Sequence, residues 1–122
     1  MFEDNDLVYS YSRKQAIEDG VLIDVTETAK EAGFKFPVAV TSALEADIRD
    51  IPLSQMYQDY NGRLWDMLYM LHLKIKASND SSIIHYRIIM HTTKKTWCHL
   101  KAVCSPGDDR EPVITIMLPH ED

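Results

Sequence analysis

The sequence predicts one α+β domain that spans all 122 residues. Three observations predict this fold class. Short strand and helix patterns alternate in the N-terminal part, from residue 7 to about residue 51. One long helix with an apolar stripe follows, and three alternating strands complete the chain. We expect these last strands to form an antiparallel three-stranded meander on which the long helix packs.

The N-terminal part begins with a strand pattern and a capped helix. Strand patterns occur here at residues 7–11, 21–25 and 34–40. Between the first two, Ser12 and Gln15 have the spacing of a capping box, in which hydroxyl and amide satisfy free N–H groups reciprocally. A short helix over residues 13–19 is therefore predicted, and Gly20 is placed to end it in the left-handed conformation.

Two further short helices are predicted in the same part of the chain. Thr26 or Thr28 can cap the first of them, and Gly33 ends it. The second covers residues 42–49, opens with a capping box at Ser42, and stops before a proline. Each short helix thus follows a strand pattern.

The middle of the chain predicts one long helix, over residues 63–76. An Asn-Gly pair before it is a turn signal. Its apolar stripe repeats at helical spacing and consists of Leu64, Leu68, Leu71 and Ile75. Other large apolar residues widen that stripe, so most of the helix surface is expected to be covered.

Three strands are predicted after the long helix, at residues 83–92, 96–104 and 113–118. The even positions of the first two are apolar, and a connection with an odd number of residues places them on one face. The predicted core face therefore comprises Ile84, Tyr86, Ile88, Met90, Cys98, Leu100, Ala102 and Cys104, together with Ile114, Ile116 and Leu118. The long helix is the expected cover of this face.

The charge balance disfavours a general nucleic-acid binder. Thirteen basic and nineteen acidic residues give a formal net charge of −6, whereas non-specific binding to phosphates requires a positive field. The apolar and charged fractions are ordinary for a folded domain. The acidic surplus suits solubility or a basic partner, and a local basic patch remains open.

The two cysteines and the N-terminal residues predict a cytoplasmic protein. The absence of cofactor-binding motifs predicts that it has no cofactor. Cys98 and Cys104 lie on one predicted strand, roughly 20 Å apart, which is too far for a disulfide. Two unbridged thiols are typical of a reducing compartment. Residues 1–6 are acidic and lack the pattern of a secretory signal, and no stretch is long and apolar enough to span a membrane. No phosphate-binding or dinucleotide-binding motif occurs.

The opposite face of the first predicted hairpin carries the candidate site. Because side chains alternate between the two faces along a strand, this face carries the odd-numbered residues His85, Arg87, His91, Trp97, His99 and Lys101. We expect five of these to bind a ligand if the face is a site. Arg87 and Lys101 would neutralise an anion, Trp97 would stack on a ring, and His91 and His99 would donate protons or change protonation near neutral pH.

Several interpretations of this face remain open. It can be a platform for RNA or single-stranded nucleic acid, or a catalytic surface for an anionic substrate. His91 and His99 would face each other across a loop centred on Lys95, but zinc needs a third and fourth ligand, so no metal site is predicted. A solvated or covered sheet face without any site explains the same residues.

A weaker candidate lies where the first strand pattern meets the first helix. Backbone N–H groups at that helix start, together with Ser12 and Arg13, can hold a phosphate or carboxylate. A capped helix explains the same residues. An enzyme that acts on a nucleotide or another phosphate-bearing substrate would have its site here, between Tyr9, Arg13 and the sheet, and a closed pocket that includes a histidine would favour it.

Two blocks of the sequence resemble a family of small bacterial proteins. The first runs from Val8 to Thr41 and contains Tyr-Ser-Tyr-Ser-Arg-Lys-Gln-Ala-Ile-Glu-Asp-Gly; the second runs from Leu100 to Pro119. The family is described as plasmid-related or as a domain of unknown function on mobile elements. The resemblance implies a cytoplasmic mobile-element accessory protein, and it implies no catalytic residues.

The sequence therefore predicts a small binding or interaction module, with the phosphate-acting enzyme as the alternative. Its partner would be a protein or an anionic ligand, with no membrane contact, and net charge does not favour nucleic acid. A third hypothesis is a structural homodimer, joined through an exposed apolar residue such as Trp97 or through an edge strand.

Overall fold

The computed structural model describes residues 11–77 and 81–121. Within these ranges the chain forms four α-helices, a short 3-10 turn at Leu53–Gln55 and five strands. The elements are α1 (Arg13–Glu18), β1 (Leu22–Asp24), α2 (Thr26–Glu31), β2 (Val38–Thr41), α3 (Ser42–Arg49), α4 (Tyr60–Ala77), β3 (Ile83–Ile89), β4 (Trp97–Pro106) and β5 (Pro112–Met117). The predicted strand over residues 7–11 falls outside the described residues except for Tyr11, which is not in a strand.

The five strands form one mixed sheet with the order β1-β2-β5-β4-β3. Strands β3, β4 and β5 form the predicted antiparallel meander. The prediction of a sheet with three strands was incomplete, because β2 joins β5 in parallel and β1 joins β2 in antiparallel fashion. Residues Val38, Ala39 and Val40 are fully buried, so β2 is apolar on both faces and belongs inside a sheet.

Three helices, rather than one, cover the core face of the sheet. The core cluster includes Ala29 of α2, Leu44 and Ile48 of α3, and four residues of α4: Leu64, Met67, Leu68 and Leu71. Helix α1 lies on the opposite face of the sheet, since its Arg13 contacts Thr115 on that face of β5. The short N-terminal elements therefore extend the sheet and cover part of both of its faces. No helix in the described ranges is long and apolar enough to cross a membrane.

The predicted cap by Ser12 is confirmed for α1, and the closing glycines Gly20 and Gly33 both have positive φ as predicted, whereas the predicted N-caps of the next two helices are corrected. The Ser12 hydroxyl accepts a hydrogen bond from the Gln15 N–H at 3.0 Å, and Gly20 has a φ of +79°. Helix α2 starts at Thr26 without a side-chain cap. Helix α3 is capped by Thr41, whose hydroxyl accepts from the Leu44 N–H at 3.3 Å, so Ser42 is already its first helical residue.

Helix α4 begins one turn earlier than the Asn-Gly signal predicts. The carboxylate of Asp59 accepts a hydrogen bond from the N–H of Gly62 at 2.7 Å. This bond satisfies a free donor of the first turn, so Asn61 and Gly62 lie inside the helix. The predicted apolar stripe is buried at Leu64, Leu68 and Leu71, whereas the more distal Ile75 is partly exposed.

In the β3–β4 hairpin the even-numbered residues share one face, as predicted, but the residue at the middle of the connection differs from the prediction. Tyr86 pairs with Leu100 and Ile88 with Cys98, so the even residues share the core face as expected. Strand β3 ends at Ile89 rather than at residue 92, and its pairing with Trp97 centres the connection on Thr93 rather than Lys95. The Thr92 hydroxyl accepts hydrogen bonds from the N–H groups of Lys94 and Lys95, which stabilises the turn inside that connection.

Candidate anion-binding face

Three of the five predicted site residues, Arg87, Trp97 and His99, lie together with His85 on the exposed face of β3 and β4. His85, Arg87, Trp97 and His99 are all exposed, and they line one open depression. The register places His85 opposite Lys101 and Arg87 opposite His99. Strands β3, β4 and β5 contain no Asp or Glu, although the chain has nineteen acidic residues. We call this surface, defined by His85, Arg87, Trp97 and His99, the basic-aromatic face.

The centre of the basic-aromatic face is a stacked pair. The guanidinium carbon of Arg87 lies 4.4 Å from the centroid of the Trp97 ring, which is cation–π geometry. The two residues are diagonal neighbours across the β3–β4 pair, a separation that long side chains can span. Trp97 is still 41% exposed, so part of its indole remains open to a ligand.

Lys101 belongs to the same face but is already engaged. It is half-buried, and its ammonium donates a hydrogen bond to the backbone carbonyl of Glu121. The Glu121 carboxylate in turn accepts from the Thr41 hydroxyl and the Leu118 N–H. The C-terminal segment therefore reaches across the sheet and holds Lys101, so this lysine is less available to an anion than Arg87.

His91 is separated from the other candidates. It lies beyond the end of β3, and its carbonyl accepts a hydrogen bond from the buried Arg63 guanidinium. Because the hairpin centres on Thr93, His99 faces Arg87, and the expected pairing of His91 with His99 is wrong. Among the described residues, no group of three or more His, Cys, Asp or Glu side chains could hold a metal ion.

The backbone N–H groups at the start of α1 form hydrogen bonds within the protein. The Asp108 carboxylate accepts hydrogen bonds from the N–H groups of Arg13 (2.8 Å) and Lys14 (3.0 Å). These bonds hold the pKa of Asp108 below its usual value. A carboxylate thus already occupies the place where a ligand anion was considered, and the hydroxyl of Ser12 serves as the helix cap.

The Arg13 guanidinium also forms hydrogen bonds within the protein. It donates to the Thr115 hydroxyl at 2.7 Å and to the Ile114 carbonyl at 2.8 Å. Burial lowers the pKa of Arg13, while the nearby carboxylates of Asp24 and Asp108 act in the opposite direction. A depression of about 580 Å³ lies beside Tyr11 and Arg13, and no histidine lines it. Tyr9 falls outside the described residues.

A second cavity, on the core side of the sheet, was not anticipated from the sequence. It has a volume of about 320 Å³, and its walls include Phe34, Phe36, His72, Ile84 and Cys104. The walls come from five separate regions of the chain, so no local pattern predicts it. Gly33 also lines this cavity, with a φ of +108°, and a Cβ at this position would lie 2.9 Å from the His72 ring.

The two cysteines are free, as predicted, but their environments differ. Cys98 is fully buried in the core, and burial raises the pKa of its thiol. Cys104 has the predicted parity yet is exposed near the end of β4, where it borders the core-side cavity. Of the two, only Cys104 is accessible for reaction.

The sequence matches one known protein family. A family model described as a family of unknown function, DUF6573, matches residues 1–122. The chain belongs to the DUF6573 family. No curated protein and no solved structure matches the sequence.

The DUF6573 match confirms part of the predicted resemblance and extends it. The resemblance rested on residues 8–41 and 100–119, whereas the DUF6573 match includes the middle of the chain, with α4 and β3. The family description carries no plasmid or mobile-element origin. That origin stays a prediction, as do the roles of the five candidate site residues.

Proposed function

We propose that this DUF6573 member is a binding module whose basic-aromatic face takes an anionic ligand that carries a planar ring, such as a nucleotide in a short single strand of RNA or DNA. One observation carries the proposal. In a chain of net charge −6, Arg87 stacks on a partly open Trp97 in a sheet region whose three strands have no acidic residue.

Each side chain of the face has a distinct part in such a complex. The open part of the Trp97 ring stacks on a base, a contact that tolerates any base because all bases have a π face. Arg87 keeps its N–H donors at the edge of its guanidinium plane while that plane lies on the indole, so a phosphate can bind it there. His85 and His99 flank the pair and offer ring N–H donors.

The net charge limits the kind of nucleic acid that fits. A long duplex presents a dense array of phosphates, and a protein with an acidic surplus is repelled by it outside the contact. A short strand or a single nucleotide carries few phosphates, so it requires only the local positive charge of the basic-aromatic face. The proposed ligand is therefore small and single-stranded.

The alternative, an enzyme acting on a phosphate-bearing substrate, has less support. Its expected site beside Arg13 uses the guanidinium and the helix N–H groups for internal hydrogen bonds. A role as a cytoplasmic accessory protein of a mobile element fits a small binding module, and its support is the sequence resemblance together with two free cysteines.

The proposal is tested by equilibrium binding of a labelled single-stranded oligonucleotide, measured by fluorescence anisotropy. Arg87→Ala and Trp97→Leu should each weaken binding by about tenfold or more, since the stacking contact is worth about 1–3 kcal/mol per base. The matched control is Arg49→Ala, because Arg49 forms a second cation–π pair with Tyr60 at 4.5 Å, away from this face. Equal affinity for all three variants would refute the proposal.

A further inference from the structure

Strand β3 is a long edge strand with an open side. It lies at one end of the sheet, spans seven residues and pairs, within the described residues, with β4 alone. The other edge strand, β1, has three residues. An unpaired edge of this length is a template for another strand, and natural sheets protect such edges with proline, bulges or inward charges. β3 contains no proline, and its seven residues pair with β4 without a bulge.

The hydrogen-bond pattern identifies the backbone groups that face the open side. The N–H of Met90 donates to the Thr96 carbonyl, and the N–H of Cys104 donates to the Ser82 carbonyl. These bonds make the even residues of β3 the hydrogen-bonded partners of β4, because such pairs alternate along an antiparallel ladder. The N–H and C=O groups of His85, Arg87 and Ile89 therefore point away from the sheet.

The amino-acid sequence of β3 is nearly palindromic around its central residue. It reads Ile-Ile-His-Tyr-Arg-Ile-Ile, with Tyr86 in the middle. A second copy paired in antiparallel fashion about a two-fold axis at Tyr86 would place Ile83 opposite Ile89 of the partner subunit. The same register places His85 opposite Arg87 of the partner subunit. His85, Arg87 and Ile89 then occupy hydrogen-bonded positions, which their outward backbone groups require. The N–H and C=O groups of Ile83 already bind the Ser81 hydroxyl, so the pairing of Ile83 with Ile89 of the partner subunit rests on their side chains.

We propose that β3 pairs with β3 of a second copy of this chain, in the register centred on Tyr86, to form a homodimer with one continuous sheet. Neighbouring registers are less favourable. A centre at Arg87 sets two guanidinium groups directly opposite each other, which destabilises the pair. A centre at His85 sets Ile83 opposite an arginine and leaves Ile89, which is 60% exposed, without an apolar partner.

Helix α4 supplies the remaining contact area of the proposed dimer. It lies beside β3 on the core face, where the Tyr86 hydroxyl donates to the Met67 carbonyl at 3.1 Å. Its exposed apolar residues include Trp65, Tyr69, Met70 and Leu73, and of these Met70 lines one depression with Tyr86 and Arg87 of β3. A two-fold axis at Tyr86 keeps both copies of α4 on the same side of the sheet. Met70 of each copy can therefore add apolar contact to the strand pairing.

The dimer proposal and the ligand proposal rest on different observations. The dimer is argued from the open backbone groups and the isoleucine side chains of β3, whereas ligand binding is argued from the side chains of Arg87 and Trp97 on the outer face. In the dimer the two basic-aromatic faces become adjacent, because His85 of one copy lies opposite Arg87 of the other. A failure of oligonucleotide binding would leave the dimer proposal intact, and the reverse also holds.

Sedimentation velocity of the full chain tests the proposed association. The unmodified protein is expected to sediment as a dimer. Ile89→Lys should shift it to the monomer, since the change places two lysines in each interface. Val21→Lys is the matched control, because Val21 is a comparably exposed apolar residue next to β1 at the other edge of the sheet. A monomeric unmodified protein, or a dimer that Ile89→Lys leaves unchanged, would overturn the proposal.

Disulfide cross-linking tests the register and does not depend on a disruptive change. In a Cys104→Ser background, Ile83→Cys/Ile89→Cys brings the paired Cα atoms to about 5.5 Å across the interface, which is within disulfide range. The two positions are roughly 20 Å apart within one copy, so only a bond between copies can form. The single variants are the controls. Cross-linking of the double variant at no greater rate than the singles would overturn the register.

Discussion

The guanidinium of Arg87 lies over the indole of Trp97, 4.4 Å from the ring centroid, on the exposed side of the sheet. The two residues come from neighbouring strands, so the contact exists only in the β3–β4 register that the structure shows. The sequence predicted separate roles for the two residues, with Arg87 neutralising an anion and Trp97 stacking on a ring, whereas in the structure the two side chains contact each other. Arg87 and Trp97 therefore form one preorganised unit.

The two cysteines should differ sharply in reactivity. Cys98 is fully buried and its pKa is raised, so its thiolate population is small and inaccessible, whereas Cys104 is exposed. We expect a maleimide reagent to modify one thiol per native chain and two after unfolding, as measured by intact mass. Peptide mapping should place the first modification on Cys104. Modification of Cys98 in the native chain would contradict the burial.

Removal of the Asp108 carboxylate should lower stability in a pH-dependent way. The hydrogen bonds from Arg13 and Lys14 depress the pKa of Asp108 in the folded state, so the stabilisation is present above the unfolded pKa of about 3.9 and is lost as pH falls through the folded pKa. Asp108→Asn should therefore destabilise the protein at pH 7 and approach the unmodified protein at strongly acidic pH.

Denaturant unfolding at a series of pH values measures the Asp108 effect. Asp109→Asn is the control, because the Asp109 side chain makes no hydrogen bond among the described residues. A constant difference between Asp108→Asn and the unmodified protein across the acidic range would show that the carboxylate charge is not responsible.

Gly33→Ala should cost more stability than Gly20→Ala. Both glycines have positive φ, but a Cβ at Gly33 would lie 2.9 Å from the His72 ring, whereas a Cβ at Gly20 would have no atom within 4 Å. We expect a loss of about 1 kcal/mol at Gly20 and at least about 2 kcal/mol at Gly33. Thermal unfolding measures both, and equal losses would show that His72 moves aside without cost.

Arg63→Lys should destabilise the protein although the charge is retained. The Arg63 guanidinium is buried and donates to the Gln58 side chain and to the carbonyls of Asp50 and His91. A lysine cannot satisfy these separated acceptors at once, so we expect a loss of about 2 kcal/mol in the free energy of unfolding.

The control for Arg63→Lys is Arg49→Lys, because the Arg49 side chain is largely exposed and its ion pair with Glu45 should contribute less than about 1 kcal/mol. Chemical denaturation measures both variants. A loss at Arg63 no greater than that at Arg49 would contradict the role of the buried guanidinium as a link between α3, α4 and the β3–β4 hairpin.

Local alternation in the sequence predicted the faces of the hairpin but not its centre. The parity of Tyr86 and Leu100 depends only on the apolar pattern, which stays the same when a strand shifts by two residues. The centre at Thr93 depends on how its neighbour Thr92 binds the following N–H groups, and composition alone does not reveal that. Parity was therefore predicted correctly, and the pairing of His91 with His99 was not.

Contacts between distant parts of the chain explain the other differences. The parallel pairing of β2 with β5 joins residues about 76 positions apart, as in Val38 with Ile114, and no local pattern specifies it. The carboxylate of Asp108 binds α1 from 95 residues away. The capture of Lys101 by the carbonyl of Glu121 is likewise non-local. These contacts decide which predicted site residues remain available to a ligand.

The most direct test of the ligand proposal is the fluorescence of Trp97 during titration with a short single-stranded oligonucleotide. The chain has two tryptophans, so a Trp65→Phe background isolates the signal. The proposal predicts saturable quenching of Trp97 that Arg87→Ala weakens by about tenfold or more and that rising salt reduces. Fluorescence that the oligonucleotide leaves unchanged, or quenching that Arg87→Ala leaves unaltered, would contradict it.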